Sequence, residues 1–201
     1  MITKFLCIVT VVTLSEAEKL NSAEQNFVLN LQNSYRRQLA SGSAETSNGF
    51  MPAGGDIYEL TYDSDLEDKA EQWAENCKFE HPTNIDYGQN IAMRAPAFGS
   101  TDALREGVNS WWGEIKDYTA TNKLNFASTT GHFTQLAKGR ASKVGCAVHN
   151  CTTGLIGFDS WTFTVCNYDV GNIVGQDLYT LGNPCSNCER RSACHKGLCV
   201  A

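Results

Sequence analysis

Apolar residues recur at helical spacing in three stretches of the chain. Phe27, Val28, Leu31, Tyr35 and Leu39 share one face, behind Ser22-Ala23-Glu24-Gln25, which reads as a capping box, and ahead of Ser41-Gly42, which ends the pattern. A second box, Ser64-Asp65-Leu66-Glu67, opens the stripe Leu66, Ala70, Trp73, Ala74, Cys77. A third helix starts at about Ser100 and carries Leu104, Val108, Trp111, Trp112 and Ile115. Such stripes face a core, and the Trp pair is read the same way rather than as the lining of a ligand groove.

Elsewhere the period shortens. Asn90-Ile91-Ala92-Met93, Val144-Gly145-Cys146-Ala147-Val148 and Trp161-Thr162-Phe163-Thr164-Val165-Cys166 are apolar, short and rich in β-branched residues, which predicts strands. Helices come first and strands mostly late, with no strand-helix-strand rhythm, so the expected class is α+β: an antiparallel sheet covered by helices. Between these lies Gly131-His132-Phe133-Thr134-Gln135-Leu136, a short helix running into a strand. By itself, one histidine between Gly131 and Phe133 is read as a hydrogen-bonded structural residue.

With 201 residues, 42% of them hydrophobic, the chain can bury one substantial core and suits a single domain. Lys4, the apolar run from Phe5 to Leu14 and Ser15-Glu16-Ala17 have the three regions of a secretory signal peptide, placed at 1–17. A spanning helix needs about 20 apolar residues and this run is half that, so no transmembrane segment is expected and the protein reads as secreted and extracellular. Cys7 leaves with the signal, and the remaining eight cysteines, an even set, point to disulfides. A zinc site at Cys185, Cys188, Cys194 and Cys199 is the competing reading, which an oxidising compartment disfavours. After Gly182-Asn183-Pro184 the tail, 183–201, is too short for a core of its own and is expected to be a disulfide-stapled appendage. The net charge of −6 argues against nucleic acid and against anionic membranes. Asn150-Cys151-Thr152 matches a glycosylation sequon at Asn150, while His149 and His195 read as solvated.

Gly131-His132-Phe133-Thr134-Gln135-Leu136 followed by Gly145-Cys146-Ala147-Val148, then Phe163-Thr164-Val165-Cys166-Asn167-Tyr168 with Gly171-Asn172-Ile173, resemble the two signature motifs of the CAP superfamily, the cysteine-rich secretory, antigen 5 and pathogenesis-related proteins. Arg36, the segment Trp73 to His81, and Gly88-Gln89-Asn90-Ile91 fall where other motifs of the family fall, so the similarity covers roughly 22 to 199. The ending after Tyr179-Thr180-Leu181-Gly182 looks most like the activation-associated secreted and venom-allergen-like proteins of parasitic nematodes. The resemblance implies an α-β-α sandwich, with a CAP domain over 18–182 and a hinge-like tail over 183–201. It also implies the pairs Cys77 with Cys151, Cys146 with Cys166, Cys185 with Cys194, and Cys188 with Cys199.

The same resemblance assigns a cleft tetrad to His81, Gln89, Glu114 and His132, where some family members hold a divalent metal. Glutamine at 89 departs from the usual glutamate and cannot exchange a proton near neutral pH. Zinc binding through His81 and His132 is therefore expected to be weak or conditional, with no cofactor required. Gln32, Lys138-Gly139 and Asp169-Val170 are further departures. No Gly-x-Ser-x-Gly elbow or His-Glu-x-x-His helix is present.

Three function classes follow. The leading one is a secreted, non-enzymatic protein that binds a sterol or fatty acid and modulates a host's immune responses. Its ligand is placed in a groove near Ile85 and Tyr87, apart from the tetrad. The second is a scaffold that recognises a host protein with no lipid, and the third, disfavoured by Gln89, is a metal-dependent hydrolase. The chain is expected to be a monomer or weak dimer.

Overall fold

The computed structural model describes residues 19–118, 128–153, 156–173, 175–189 and 192–201; the signal segment at 1–17 lies outside them. Helix α1 spans Ser22–Ser41, α2 Ser64–Ala74, α3 Ser100–Gly113 and α4 Gly131–Ala137. Both helices start one residue earlier than the sequence suggested, and the capping box forms in α1 but not in α2, where N3 is Leu66. Asn21 caps α1, its side chain accepting from the N–H groups of Ala23 and Glu24 while Glu24 reaches back to the Asn21 N–H at 3.0 Å. Asp63 caps α2 by accepting from Asp65 and Leu66. Ser22 and Ser64 are the first helical residues because Asn21 and Asp63 already hold the extended backbone that a cap requires. Gly42, at φ 70°, closes α1 in the left-handed conformation that a side chain would strain.

Among the described residues the strands, interleaved with the helices, are β1 (Glu45–Thr46), β2 (Gly49–Phe50), β3 (Thr61–Tyr62), β4 (Gly88–Arg94), β5 (Lys143–Cys151), β6 (Trp161–Tyr168), β7 (Ala193–His195) and β8 (Leu198–Val200). The central sheet has the order β3-β5-β6-β4. It is antiparallel except where β3 joins β5 in parallel, a two-residue pairing that the sequence pattern did not announce. Every residue of β6 is buried, because helices cover both faces. Ala147, Phe163 and Val165 pack with Ala70 and Ala74 of α2, whereas Val144, Cys146, Cys166 and Tyr168 pack with Val28, Leu104, Val108 and Leu136 of α1, α3 and α4. The two-residue period of the strands thus divides the core into two layers, giving an α-β-α sandwich.

Two polar contacts fix α1 within this stack. Asn33 exchanges two hydrogen bonds with the backbone of Leu60, at 3.0 and 2.8 Å. Arg36 is 1% exposed and donates to five carbonyls, those of Tyr58, Leu136, Lys138, Gly139 and Ala141, all at 3.0 Å or less. Burial lowers its pKa to about 10, and the guanidinium gathers the end of α4 and the loop beyond it around one planar donor. At Gly145 an added Cβ would lie 2.1 Å from the backbone nitrogen of Glu67, so α2 can reach the sheet only over glycine.

Four disulfides join Cys77 to Cys151, Cys146 to Cys166, Cys185 to Cys194, and Cys188 to Cys199. The tail is not an appendage. Leu198 and Cys199 are fully buried, with Leu198 in one cluster with Leu39, Met51, Ile57 and Phe133. Cys199 bonds through its backbone to Ile57 and Glu59. The tail has no core of its own because it completes that of the domain.

Candidate functional site

The four residues of the expected tetrad come from four different elements. His81 follows α2 in a turn that two neighbours hold. Cys77, at φ 50°, is tied to Cys151, and the Trp73 indole donates to the Glu80 carbonyl at 2.8 Å. Gln89 lies on β4, Glu114 opens the single 3-10 turn that continues α3, and His132 is the second residue of α4. The structure brings all four to one cavity of about 490 Å³, with the two imidazole centres 6.4 Å apart and tilted by 37°.

Glu114 has two tasks. Its Oε2 accepts the backbone N–H groups of His132 and Phe133, each at 3.0 Å, and so caps α4; its Oε1 sits 2.6 Å from Nδ1 of His132. Burial pushes this carboxyl upward, but the His132 ring and the two backbone donors outweigh it and hold the group below the usual carboxylate range. Trp111 stacks on the His132 ring at 6.2 Å and anchors its own indole on the Ile91 carbonyl, while Asn90 donates to the His132 carbonyl. Gln89 plays the matching part for His81, with Oε1 at 3.0 Å from Nδ1 and Nε2 donating to Asn167 at 3.0 Å.

A second cavity, about 390 Å³, runs along β4 beside α3 and is lined by Phe79, Ile91, Met93 and Trp111 together with Arg94, Glu106, Ser110, Glu114 and His132. Both cavities are lined by Glu114 and His132, so they meet at those two residues, and both mix polar with apolar walls. Ile85 and Tyr87 line the tetrad's cavity together with His81 and Gln89. The groove expected near them apart from the tetrad is therefore part of the tetrad's own cavity, because the 82–87 loop returns directly into β4. Sequence reading passed over Asn167, Phe79, Met93 and the cleft role of Trp111. Each sits in a strand, a turn or an apolar stripe, where its residue type is unremarkable.

A divalent ion needs several free donors that converge on one point. Each imidazole keeps only Nε2 available, both oxygens of Glu114 are already engaged, and Gln89 offers a neutral amide. Two Nε2 atoms bound to a tetrahedral zinc at about 2.0–2.1 Å would place the ring centres about 5 Å apart, so the rings would have to close by roughly an ångström. The residues fit an ion held by two protein nitrogens and completed by water, a weaker set than the three or four protein ligands of ordinary zinc sites. Among the described residues, the groups of three His, Cys, Asp or Glu with converging ligand atoms are Cys77, His149, Cys151 and Cys185, Cys188, Cys199; their cysteines are all in disulfides and offer no thiolate.

His195 is exposed, as expected, with Nδ1 2.7 Å from Glu59, whose other oxygen takes Arg37 at 2.7 Å. Asn150 is exposed on β5 and its Oδ1 accepts from Thr162 at 2.9 Å.

A sequence model of the cysteine-rich secretory protein family, CAP, matches residues 29–168. The chain is similar to venom allergen 5 of Tityus serrulatus, 33% identical over 192 residues that cover 85% of this chain and 43% of that protein. It is also similar to Ancylostoma secreted protein of Ancylostoma caninum, 30% identical over 189 residues that cover 86% of this chain and 43% of that one. The chain spans less than half the length of both relatives. Among solved structures it is similar to NaASP2 crystallised with Zn²⁺, with a TM-score of 0.77 and 27% identity, over 90% of this chain and 97% of that one.

Proposed function

The chain belongs to the CAP family of cysteine-rich secretory proteins, and on that premise we propose that it is an extracellular, non-enzymatic binding protein whose cleft takes a small amphiphile, a sterol or a fatty acid. The observation that carries this reading is that two cavities meet at Glu114 and His132: one is walled by Phe79, Ile91, Met93 and Trp111 with Arg94, Glu106 and Ser110 at its polar side, and the other by the tetrad with Ile85 and Tyr87. A molecule with an apolar body and one polar end matches such a cleft, in which apolar walls supply affinity and a few polar groups fix orientation. Phe79 and Met93 are 46% and 36% exposed, so the cavity beside β4 leaves large apolar side chains open to water that a ligand would cover.

Export is supported by the disulfide set, which belongs to oxidising compartments. Among the described residues, no helix is long and apolar enough to cross a membrane. In this reading, modulation of a host's immune cells follows from the lipid that the protein carries or withdraws. Binding is favoured over hydrolysis because Gln89 cannot titrate and the Glu114 carboxylate is committed to α4 and to His132. A divalent ion, when bound, would be held by His81 and His132 and would add positive charge at the polar end.

The test is equilibrium binding of cholesterol and of a long-chain fatty acid to the disulfide-bonded protein. Saturable binding that weakens about tenfold or more in Met93→Asp and Phe79→Asp is expected. Absence of binding to either ligand, or binding indifferent to both substitutions, would overturn the reading.

A further inference from the structure

We propose that Asn150 is an N-glycan acceptor, and that the pairing of its neighbour Cys151 with Cys77 decides how many chains carry the glycan. Asn150-Cys151-Thr152 is the one Asn-x-Ser/Thr triplet in the sequence. It stands apart from the cleft, since Asn150 lines neither of the two cavities.

The finished fold has room for a sugar there. The Val144 carbonyl accepts the Asp63 N–H at 2.9 Å, and Cys146 meets the Tyr62 hydroxyl with both its carbonyl and its N–H, at 3.1 and 3.3 Å. These backbone groups point away from β6, and by the alternation of an antiparallel ladder so do those of Val148 and Asn150. β3 pairs only with Lys143 and Val144, so at Asn150 this edge of β5 has no strand beside it. The Asn150 side chain is exposed, and its Oδ1 accepts from the Thr162 hydroxyl at 2.9 Å. Its Nδ2 has no partner among the described residues, so a sugar on that nitrogen displaces no hydrogen bond described in the fold.

The reaction itself needs a looser chain. Nδ2 forms a bond to the anomeric carbon of an oligosaccharide carried on a lipid pyrophosphate. The carbon–oxygen bond to the pyrophosphate breaks, the lipid pyrophosphate leaves with the electron pair, and the amide nitrogen gives up one proton. The transferring enzyme has to reach Asn150 and Thr152 on an unpaired segment. In the fold, Asn150 and Cys151 are laddered against Thr162 and Trp161, and Cys151 is 1% exposed. Modification therefore precedes closure of this end of the sheet.

Cys77 lies 74 residues ahead of Cys151 and so enters an oxidising compartment first. When the triplet arrives, the Cys77 thiol is already present, whereas β6 is still to come. Two reactions then compete for one segment. If the glycan is added first, Cys151 can still pair, because successive side chains on β5 point to opposite faces. If the disulfide forms first, the triplet is tied to the end of α2 and the acceptor is closed. Disulfide formation over seconds or longer overlaps synthesis at roughly 5–20 residues per second, so the secreted chains are a mixture of modified and bare.

The test expresses the full chain in a eukaryotic secretory host and reads pulse-labelled protein in whole-cell lysates before and after treatment with peptide N-glycosidase, which converts a glycosylated asparagine to aspartate. The parent is expected to run as two species that the enzyme merges into one, with the conversion mapped to Asn150. Thr152→Ala should leave only the faster species. Cys77→Ser and Cys151→Ser, which each remove the competing disulfide and keep the triplet, should shift the chains to the slower species. This readout is made on newly made chains and does not require either cysteine variant to fold. Absence of glycan from the parent and from both cysteine variants overturns the proposal, as does a parent that is already fully modified or an occupancy that neither cysteine variant raises.

Discussion

The carboxylate of Glu114 lies 2.6 Å from Nδ1 of His132 while its other oxygen caps the helix on which that histidine stands. Fold and cleft therefore share one side chain. Glu114→Gln keeps the volume but provides one acceptor where three donors converge, so α4 loses its cap and the imidazole its orientation. The expected cost is about 1–2 kcal/mol in denaturant unfolding, together with loss of a uniform Nδ1–H signal at His132. An unchanged midpoint with an unchanged tautomer would show that the contact does neither task.

Arg36 is expected to be the most sensitive buried polar residue. Arg36→Met leaves five carbonyls without their donor and should cost about 3–5 kcal/mol. Arg36→Lys should recover only part of this, because an ammonium has three protons and no planar fork. Urea denaturation monitored by tryptophan fluorescence distinguishes the three proteins; full rescue by lysine would contradict the account.

Asp63 gives a pH signature. Its hydrogen bond to Lys143, at 2.8 Å, holds its carboxyl below the usual carboxylate range against a smaller upward push from burial, and the bonds it accepts at the start of α2 add to the lowering. A depressed carboxylate contributes stability above its unfolded pKa and loses it as pH falls through the folded value. Asp63→Asn should therefore be less stable than the parent near pH 7, by under about 1 kcal/mol, since the lysine is exposed and the cap can persist. The difference should vanish toward pH 2–3. A gap that is constant across pH would assign the effect to the cap and not to the charge.

The sequence carried the helices well, because the stripes of α1, α2 and α3 are long and unbroken, and it located β4, β5 and β6 from their β-branched runs. It missed by one residue at each cap, where neighbouring Asn21 and Ser22, or Asp63 and Ser64, are equally suitable side chains and only the backbone decides. It also misjudged the tail, since the core that Leu198 joins is built from residues far earlier in the chain. His81, Gln89, Glu114 and His132 were found through family resemblance and not through any local pattern. Asn167, which orients Gln89, is indistinguishable in sequence from any other polar residue on a strand.

Gln89→Glu should raise zinc affinity about tenfold, roughly 1–2 kcal/mol, by returning a negative charge beside the two imidazoles. It should also lower stability by about 1–3 kcal/mol, because Asn167 loses the N–H that its carbonyl accepts. Calorimetric zinc titration and denaturant unfolding of the same pair of proteins measure both. Equal zinc affinities would mean that His81 and His132 do not hold the ion.

The central claim is that ligand occupies the cleft where the two cavities meet at Glu114 and His132. Backbone and indole amide shifts, followed by proton–nitrogen correlation spectroscopy as cholesterol or dodecan-1-ol is added, test it most directly. The account predicts saturable changes concentrated at Phe79, Ile91, Met93, His132 and the Trp111 indole, with little change on the outer face of α2. Saturable changes confined to any other surface, with these five unmoved, would contradict it.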